Sequence, residues 1–574
     1  MKPIAEIKNK LKQMKREAEE RDAKRAAEKS KLSYLNVFTT PINTEALAII
    51  AEERAKKIKA AAVELKENKL AVAVYDPGSK EIKKLKEELE VKGYQVTIFV
   101  VSLPGLNYIF DFYKFVSKEP GKISGKISVG QINDLKKNIN SLDGLNQALG
   151  LMNLATVDAA MILELILLGA MANRASDIHF EPIDKKIKIR LRIDGILHDV
   201  FENQEKSFYF RLLSKIKLLS NLKINIYDEP QDGRFTINLE NKEVEVRVAI
   251  APSEFGEVVV MRLLDPEAIN ISLGELGIRE DDLEIIKTEL KRPNGLILNT
   301  GPTGSGKTTT LYAFLKHKKT PKIKIITIED PIEYHLEGIE QTQVDEEAGY
   351  NFSDGLKSLM RQDPDVILVG EIRDKETGEI GIQAALTGHL VFSTIHANSA
   401  AGAIPRLVDL GVKSSSIGSA LNLIIAQRLV RKLCDNCKTI KETDNELKIK
   451  IEKFLKQLPK RVNKEKFKEI KIFSASKGGC DKCNNSGYKG RIGIYELILN
   501  DPEYEKLLID PNHIALSSHK ELDELIFSSA PESAIKKFAL EQGMATMQQD
   551  GILKIISGMT TFEEVEEVTG RMQF

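Results

Sequence analysis

A short stretch of this chain has the residue types and spacing of a phosphate-binding loop. Gly301, Gly306, Lys307 and Thr308 satisfy the pattern G-x-x-x-x-G-K-[ST]. The glycines let backbone N–H groups turn towards the β-phosphate of a nucleotide, the lysine reaches the β- and γ-phosphates, and the threonine hydroxyl ligates Mg²⁺. We predict nucleotide binding by this loop and its exit, with Lys307 also taking part in catalysis. The residues are Gly301, Pro302, Thr303, Gly304, Ser305, Gly306, Lys307, Thr308 and Thr309.

A first group of carboxylates follows the β-branched run Ile323–Ile328, which predicts a central parallel strand. Glu329, Asp330 and Glu333 come directly after it. Ligands bind at the carboxyl ends of the strands in open α/β sheets. With the hydroxyl of Thr308, Glu329 or Glu333 is the nearest candidate by topology to supply a carboxylate to Mg²⁺. We expect Glu329 and Glu333 to act in catalysis.

A further carboxylate, Glu371, follows the apolar strand Val366–Val369. The segment resembles a Walker B motif, but Gly370 stands where a metal-coordinating aspartate is usual. The Mg²⁺ shell must therefore take its carboxylate from elsewhere. Glu371 is left to orient or deprotonate the attacking water, which makes it the predicted catalytic base.

Two histidines, His389 and His396, bracket a third predicted strand, Leu390–Thr394. Imidazole can donate a hydrogen bond to a phosphoryl oxygen. The pair predicts γ-phosphate sensing or coupling between subunits, with His396 as the catalytic candidate. A structural role at a strand end is the alternative.

The only cysteines of the chain form two C-x-x-C pairs, Cys434 with Cys437 and Cys480 with Cys483. Each pair supplies two thiolates from one turn, and two pairs close a tetrahedral Zn²⁺ site with no open position, so the predicted role is structural. A thioredoxin-like redox pair is the competing interpretation, although neither pair opens a βαβ unit. The insert between the pairs predicts a helical excursion.

The phosphate-binding loop needs a strand before it and a helix after it. Leu296–Leu298 predicts a buried strand, and Thr309–Lys316 predicts a helix whose positive N-terminal end faces the anion.

The region upstream of the loop predicts a small α/β domain without a catalytic signature. Residues 1–34 are a charged helical or disordered tail with few apolar residues, for which a docking arm is the alternative. The elements predicted after it are a helix over Ala46–Lys66, a strand over Leu70–Val74, a helix over Ile82–Leu89 and a strand over Val96–Val101.

Residues 176–265 alternate between apolar and polar positions, as strands do. Arginines occupy the polar face: Arg190, Arg192, Arg234, Arg247 and Arg262. Such arginines are commonly only solvated. Their abundance beside a nucleotide loop raises the alternative that they reach a triphosphate, including one on a neighbouring subunit.

A chain of 574 residues exceeds what one hydrophobic core usually serves, so several domains are expected. We divide it into the tail 1–34, the N-terminal α/β domain 35–118, a linker 119–150, the arginine-bearing domain 151–267, the P-loop core 268–430, the tetracysteine zinc module 431–500 and a C-terminal helical domain 501–574.

The charge balance argues against a dedicated nucleic-acid binder, because 84 Lys and Arg residues face 84 Asp and Glu residues. No signal peptide is apparent in the charged N-terminal stretch. The uncharged run Tyr94–Phe110 is too short to span a bilayer and is interrupted by Pro104 and Gly105. We expect a cytoplasmic protein that meets a membrane only through partners.

Taken in order, these motifs closely resemble the secretion ATPases that assemble type IV pili and type II secretion pseudopili. The matching strings are ASDIHFEP, GRF, GPTGSGKTTTLY, TIEDPIEY, RQDPDVILVGEIRD, ALTGHLVFSTIHAN, the two C-x-x-C pairs, GYKGRIGIYEL and GMATMQQDG. They span roughly residues 155 to 570. The cysteines and the long N-terminal region resemble the assembly branch, since retraction motors of the superfamily lack both.

The resemblance implies an α/β multidomain protein with a RecA-like P-loop ATPase core. A PAS-like α+β domain would precede this core, with an N-terminal α/β domain before it and a zinc-binding helical region after it. The implied assembly is a homohexamer that hydrolyses ATP at the inner membrane to move a platform protein, which adds pilins to a fibre. In that family the acidic box, here Glu329, Asp330 and Glu333, binds metal, and the Walker B glutamate, here Glu371, catalyses ATP hydrolysis. Arginines of the preceding domain act on a neighbour's nucleotide. The matching positions for these arginines are Arg192, Arg234 and Arg247.

Two other functions compete with this one. A nucleic-acid translocating hexameric ATPase shares the P-loop core, but neutral charge and the lack of interleaved aromatic and basic residues count against it. A scaffold that binds nucleotide without cleaving it is opposed by the presence of Lys307, Thr308 and Glu371.

Overall fold

The computed structural model describes residues 18–116, 139–500 and 519–573, apart from 155, 185, 204–205, 240–241, 443 and 468–469. The chain divides into two compact units, Met1–Leu264 and Asp265–Phe574. Parts of three predicted segments lie outside the described residues: the start of the tail, most of the linker and the start of the C-terminal helical domain.

The first unit begins with a small α/β module. Its helices are α1 (18–29), α2 (Thr44–Ile49), α3 (Glu52–Ile58), α4 (Lys80–Val91) and α5 (Leu103–Phe110), and its strands are β1 (Ser33–Tyr34), β2 (Ala60–Lys66), β3 (Lys69–Val74) and β4 (Gln95–Val100). The strand order is β1-β4-β3-β2, with an antiparallel β2–β3 hairpin and otherwise parallel pairs. One core of small and branched apolar side chains fills the module.

Two predictions for this module were wrong. The helix predicted over Ala46–Lys66 ends early, because Ala60–Lys66 is the strand β2, whose first four residues are buried in the hairpin with β3. The tail is not only a solvated segment: α1 buries Ala23 and Ala27, and its Glu20 accepts a hydrogen bond from Ser102 at 2.6 Å. Alanine loses no side-chain entropy when it is buried, in a helix or in a strand. The alanine-rich sequence therefore favoured the prediction of a helix but did not exclude a strand.

The rest of the first unit is an antiparallel sheet with helices packed against it. The helices are α6 (Leu142–Gly150), α7 (Ala159–Ala172) and α8 (Lys206–Leu219); the strands are β5 (Ala175–Ile183), β6 (Lys186–Ile193), β7 (Ile196–Asn203), β8 (Gln231–Asn238), β9 (Glu243–Ser253) and β10 (Gly256–Leu264). The strand order is β7-β6-β5-β10-β9-β8. The strands alternate buried and exposed positions, as the sequence predicted.

The predicted linker 119–150 ends in structure rather than in a flexible segment. Residues of α6, including Leu145 and Leu149, belong to the same core as α7 and the sheet. Ser141 caps this helix by accepting a hydrogen bond from the backbone of Gly144.

Among the described residues no helix is both long and apolar enough to cross a bilayer.

Asn225, in the segment between α8 and β8, joins the two modules of the first unit. Its side chain is buried, donates to the carbonyl of Thr40 at 2.6 Å and accepts from the backbone N–H of Ile42 at 3.0 Å. Neighbouring Ile224 lies in the core of the N-terminal module. The contact therefore anchors that module through one polar side chain.

We expect Asn225→Ala to lower the free energy of unfolding of the first unit by about 1–3 kcal/mol, because buried backbone groups lose their partners. Thermal unfolding and the rate of limited proteolysis should both report the loss. Asn68→Ala, at an exposed position, is the control and should change neither. Equal behaviour of the two variants would contradict the anchoring role.

The second unit is built on a seven-stranded sheet. Its strands are β11 (Gly295–Thr300), β12 (Ile325–Glu329), β13 (Glu340–Gln343), β14 (Val366–Val369), β15 (Leu390–Ile395), β16 (Leu421–Leu433) and β19 (Tyr488–Leu499), while β17 (Thr439–Ile440) and β18 (Phe473–Ser474) form a separate pair. The order is β13-β12-β14-β15-β11-β16-β19, parallel except for the last, antiparallel pair.

Helices surround this sheet and continue to the end of the described chain. They are α9 (Glu280–Lys291), α10 (Lys307–Lys318), α11 (Phe352–Leu359), α12 (Lys375–Leu386), α13 (Ala400–Asp409), α14 (Ser414–Ala420), α15 (Asn445–Gln457), α16 (His519–Phe527), α17 (Glu532–Glu541), α18 (Met547–Ile556) and α19 (Phe562–Thr569). Short 3-10 helices cover Pro266–Ile269, Leu273–Leu276, Met360–Gln362, Lys464–Phe467 and Asp481–Cys483 in this unit. The inner parallel strands β14 and β15 are buried on both faces, which is why each is a largely apolar run in the sequence, whereas the edge strand β13 is polar and partly exposed. The helical excursion predicted between the cysteine pairs is confirmed by α15.

A buried network of ion pairs joins distant parts of the second unit. Arg279, before α9, pairs with Asp282 at 2.5 Å and with Asp550 of α18 at 3.2 Å. Lys554 pairs with Asp550 at 2.5 Å, and Arg461, from the segment after α15, pairs with Asp282 at 2.6 Å. The helical insert and the C-terminal helices are thereby fixed to the helix that precedes the catalytic sheet.

Candidate active site and metal centre

The phosphate-binding loop connects β11 to α10, so the predicted strand, loop and helix are confirmed. Gly301, Gly304 and Gly306 have positive φ angles of 151°, 78° and 90°. A Cβ on Gly301 would lie 2.6 Å from the carbonyl oxygen of Gln427, a contact that side chains do not tolerate. Glycine is therefore required at the first position of the loop by packing as well as by backbone conformation.

Lys307 begins α10 and folds back over the loop. Its ammonium donates to the carbonyl of Gly301 at 2.7 Å and to that of Pro302 at 3.2 Å. Burial lowers the pKa of Lys307, and the charge of Glu371 opposes that shift. The charge of the Walker B carboxylate is thus within range of the loop lysine. The next residue, Thr308, is exposed.

The side chain of Gln427, in β16, supports the phosphate-binding loop through hydrogen bonds. Its buried amide donates to the carbonyl of Ser305 at 2.8 Å and accepts from Asn299 at 3.0 Å and from Thr310 at 2.9 Å. One side chain thus ties the loop to the strand before it and to the helix after it. Sequence reasoning missed Gln427, although the Gln-Arg pair interrupting an otherwise apolar strand was a visible signal.

We expect Gln427→Leu to lower the free energy of unfolding by about 1–3 kcal/mol, because the groups around it lose their hydrogen-bond partners. The loop should also bind nucleotide more weakly, since its backbone amides lose their fixed arrangement. Calorimetric titration with ADP and thermal unfolding measure the two effects. Gln548→Leu, whose amide lies near the surface of α18, is the control for nucleotide affinity. Unchanged ADP affinity in Gln427→Leu would contradict this role.

Glu371 lies at the centre of a chain of charged side chains. Its two oxygens contact His396 Nε2 at 2.9 Å and Arg373 Nε at 2.7 Å. Arg373 also donates to Asp330 at 3.0 Å. The carboxylate is largely shielded from solvent, whereas the imidazole is half exposed. The structure therefore brings together Glu371, His396 and Asp330, which come from three separate strand ends.

Hydrogen bonds lock these strand ends to one another. Thr394 donates to the carbonyl of Gly370 at 2.7 Å, and the backbone of Gly370 donates to that of Ile328 at 2.8 Å. Thr300, at the end of β11, both donates to and accepts from the backbone of Ala397 at 2.9 Å. The loop that carries His396 is thus held directly against the start of the phosphate loop.

The carboxylate of Glu329 is buried and hydrogen-bonded, rather than exposed and free to bind a metal ion. It is buried, and its oxygens accept hydrogen bonds from Tyr312, from Thr327 at 2.6 Å and from Gln341 at 3.1 Å. Burial and the neighbouring Glu329 carboxylate raise the pKa of Tyr312. Glu333 is partly buried and its charge acts on the same tyrosine. In this structure Glu329 belongs to a network beneath α10, and its role as a magnesium ligand stays a prediction.

The second histidine, His389, does not belong to this site. It precedes β15, whereas His396 follows it, so the two lie at opposite edges of the sheet, roughly 20 Å apart at the usual rise per strand residue. His389 Nδ1 lies 3.0 Å from the carbonyl of Ala384 at the end of α12. The prediction of phosphate sensing is therefore wrong for His389, and its contact with Ala384 favours the structural alternative, while coupling between subunits stays a prediction.

Four arginines of the first unit lie in one row across the antiparallel sheet. Register pairs Arg234 of β8 with Arg247 of β9 and Arg247 with Arg262 of β10. Arg262 is opposite Asp177 of β5, which in turn is opposite Arg192 of β6. Directly opposed side chains share a face, and like charges placed so are destabilising. Asp177 accepts from Arg262 at 2.9 Å and lies 3.5 Å from Arg192, which leaves the row with net positive charge.

The four cysteines form one cluster whose ligand atoms all lie within 4.8 Å of one another. Sγ atoms are 3.9 Å apart for Cys434 and Cys480, and 3.8 Å apart for Cys437 and Cys483 and for Cys480 and Cys483. A tetrahedral Zn²⁺ with Zn–S bonds of about 2.3 Å requires sulfurs about 3.8 Å apart.

Polar hydrogens also point at these sulfurs. The backbone N–H groups of Cys480 and Gly487 donate to Cys483 Sγ at 3.1 and 3.2 Å, and the amide of Asn436 approaches Cys480 Sγ at 3.5 Å. Such donors stabilise thiolates, the form that binds a metal. The spacing and the donor set both fit a structural zinc site.

Comparison with known proteins gives a consistent result. The sequence profile of the family described as "Type II/IV secretion system protein" matches residues 155–567. The type II secretion system ATPase E of Vibrio cholerae is 42% identical over 419 residues, covering 72% of this chain and 77% of that protein. The type IV pilus assembly ATPase PilB of Myxococcus xanthus is 35% identical over 536 residues, covering 92% of this chain and 88% of that protein. A crystal structure of the pilus retraction motor PilT with bound ADP is 26% identical and covers 71% of this chain and 96% of that chain, with a TM-score of 0.44.

Proposed function

This chain belongs to the type II/IV secretion system protein family, and from that premise we propose that it hydrolyses ATP to power assembly of a type IV pilus or a type II secretion pseudopilus. The observation that carries the proposal is the contact of Glu371 with His396 at 2.9 Å and, through Arg373, with Asp330, at strand ends held against the start of the phosphate loop. A scaffold that only held nucleotide would not need a carboxylate beside the terminal phosphate. The nucleic-acid translocase is not favoured by the relatives.

Substrate binding is assigned to the loop. Its backbone amides and the N-terminal end of α10 bind the phosphates, and the Lys307 ammonium exchanges its carbonyl partners for the β- and γ-phosphate oxygens. The Thr308 hydroxyl and the carboxylates of Asp330 and Glu329 would hold Mg²⁺. The ion supplies charge neutralisation on the phosphates.

Proton transfer is assigned to Glu371. The carboxylate accepts the proton of the attacking water, or orients that water, while its position is fixed by His396 on one oxygen and Arg373 on the other. Because Arg373 also pairs with Asp330, one side chain positions both the proposed base, Glu371, and the acidic box. Glu333 and His396 are assigned supporting roles beside the terminal phosphate.

The arginine row is assigned to a neighbouring subunit's nucleotide. Of its arginines, Arg192 lies 3.5 Å from Asp177 and Arg247 lies 3.7 Å from Glu245, and the row as a whole places four arginines on one face of the sheet. An arginine acting in trans stabilises the charge that develops on the transferred phosphoryl group. This role requires a closed ring, for which we propose a homohexamer. The sheet that carries the row is assigned to a PAS-like domain.

We infer the partners and the place of action from the family resemblance. We assign the protein to the cytoplasmic face of the inner membrane, where it acts on a platform protein and meets the membrane only through it. The cysteine cluster holds Zn²⁺ in a structural role.

The rate of ATP hydrolysis per chain tests the proposal. Purified protein with Mg²⁺ should hydrolyse ATP, and the rate per chain should rise with protein concentration as rings form, because each site needs a neighbour's arginines. Added DNA should leave the rate unchanged. Absence of hydrolysis in assembled rings would overturn the motor proposal, and stimulation by DNA with a steep salt dependence would favour the translocase.

A further inference from the structure

Arg428 follows Gln427 on β16 and reaches over the start of the phosphate loop. Its Nη1 donates to the carbonyl of Gln427 at 3.0 Å, and its Nη2 donates to the carbonyl of Asn398 at 2.9 Å. A Cβ built on Gly301 would lie 3.2 Å from Nη1. The guanidinium therefore bridges the first residue of the phosphate loop and the segment just after His396.

This cation has no acidic partner. Among the described residues, no carboxylate lies within ion-pairing distance of Arg428, and its two hydrogen-bond acceptors are neutral carbonyls. Burial lowers the pKa of Arg428, and the more distant Glu496 opposes that shift. By contrast, Arg431 on the same strand is paired with Glu564. Burying a charge without a counter-charge costs free energy. A negatively charged ligand next to the Arg428 guanidinium would supply the counter-charge that the described part of the chain does not.

Lys307 approaches the loop from the other side of Gly301, and its ammonium also rests on loop carbonyls. Burial and the charge of Arg428 lower the pKa of Lys307, while the charge of Glu371 opposes them. Two cations thus converge on the loop, and a polyphosphate is the chemical group that would neutralise both.

We propose that Arg428 is a further catalytic residue that contacts the terminal phosphates of ATP bound in the loop of its own subunit; this inference rests on the proposed ATPase function. The terminal phosphates are indicated because Asn398, the acceptor of Nη2, follows His396 by two residues, and His396 contacts the base Glu371. Arg428 thereby differs from the arginine row, which is assigned to a neighbour's nucleotide.

Binding measurements separate this role from a structural one. We expect Arg428→Ala to weaken binding of a non-hydrolysable ATP analogue roughly 10- to 100-fold while changing ADP affinity much less, as the loss of a charged hydrogen bond predicts. Arg428→Lys should recover part of the affinity for the analogue. Lys432→Ala, which removes one positive charge farther along β16, is the matched control and should resemble the wild type. An equal loss for both nucleotides would overturn the proposal, because a merely structural arginine would disturb the whole loop.

Mixed rings test whether Arg428 acts within one subunit. Arg428→Ala chains mixed with Lys307→Ala chains should stay inactive, because neither carries a complete site. Arg234→Ala chains mixed with Lys307→Ala chains should regain part of the activity, because each intact loop can meet an intact arginine row. Recovery in the Arg428 mixture would overturn the assignment to the same subunit. Failure of the wild type to hydrolyse ATP would count against the motor proposal alone, since the binding measurements do not depend on turnover.

Discussion

Glu371→Gln should reduce ATP hydrolysis by roughly 10²- to 10⁴-fold, the range in which a general base contributes to a reaction rate. The amide keeps the size of the side chain and can still meet His396 or Arg373, but it cannot accept a proton from water. Nucleotide binding should persist, because the loop and Lys307 are unchanged. Steady-state hydrolysis and equilibrium binding of ATP measure the two quantities separately.

Glu376→Gln is the matched control for this substitution. Glu376 lies five residues farther along, is exposed and pairs with Lys357 at 2.5 Å on the surface. Its loss should leave the hydrolysis rate within the error of the assay. If Glu371→Gln kept wild-type turnover, another group would have to activate the water, and the assignment of the base would be wrong.

Cys434→Ser should remove the bound metal and unfold the cysteine cluster. A structural Zn²⁺ site contributes roughly 10–16 kcal/mol of binding free energy to the fold that forms it, and a hydroxyl replaces a thiolate ligand poorly. The thiol of Cys434 is buried, and its backbone N–H donates to the carbonyl of Gly487 at 2.9 Å, so disorder in one turn should reach the other. Metal analysis should find one Zn²⁺ per wild-type chain and much less in the variant, with a lower Tm.

Asp481→Asn tests the specificity of this effect. Asp481 lies between the second pair of cysteines but is exposed and outside the cluster of ligand atoms. The variant should keep its metal and its Tm. A wild-type protein that is folded and free of metal would contradict the zinc assignment.

Elements with local signals were predictable from the sequence. β14 and β15 are continuous apolar runs because parallel strands are buried on both faces, and the loop between β11 and α10 is fixed by its glycines. The strand β2 was not predictable, since its alanines become a strand only by pairing with β3. The helix α6 was hidden by the glycine- and lysine-rich stretch before it.

Within the site, the sequence predicted which strand ends carry the chemistry but not how each side chain is held. Glu371 and His396 were expected together, and they are in contact. Gln427 was not anticipated, because its partners are more than a hundred positions away in the chain and no local pattern links them. His389 and His396 flank the same strand in the sequence, and in the structure they therefore lie at opposite ends of β15.

Because β19 comes late in the sequence, the catalytic sheet is completed late in the synthesis of the chain. This antiparallel strand lies at the edge of the catalytic sheet beside β16, but the ribosome reaches it only after both cysteine pairs have been synthesised. At about 5–20 residues per second, the interval between β16 and β19 lasts on the order of three to ten seconds. Throughout that time β16, which carries the residues that support the phosphate loop, has one unpaired edge. We therefore expect the nascent motor to depend on chaperones late in translation, and a chain truncated after its last catalytic motif to aggregate rather than fold.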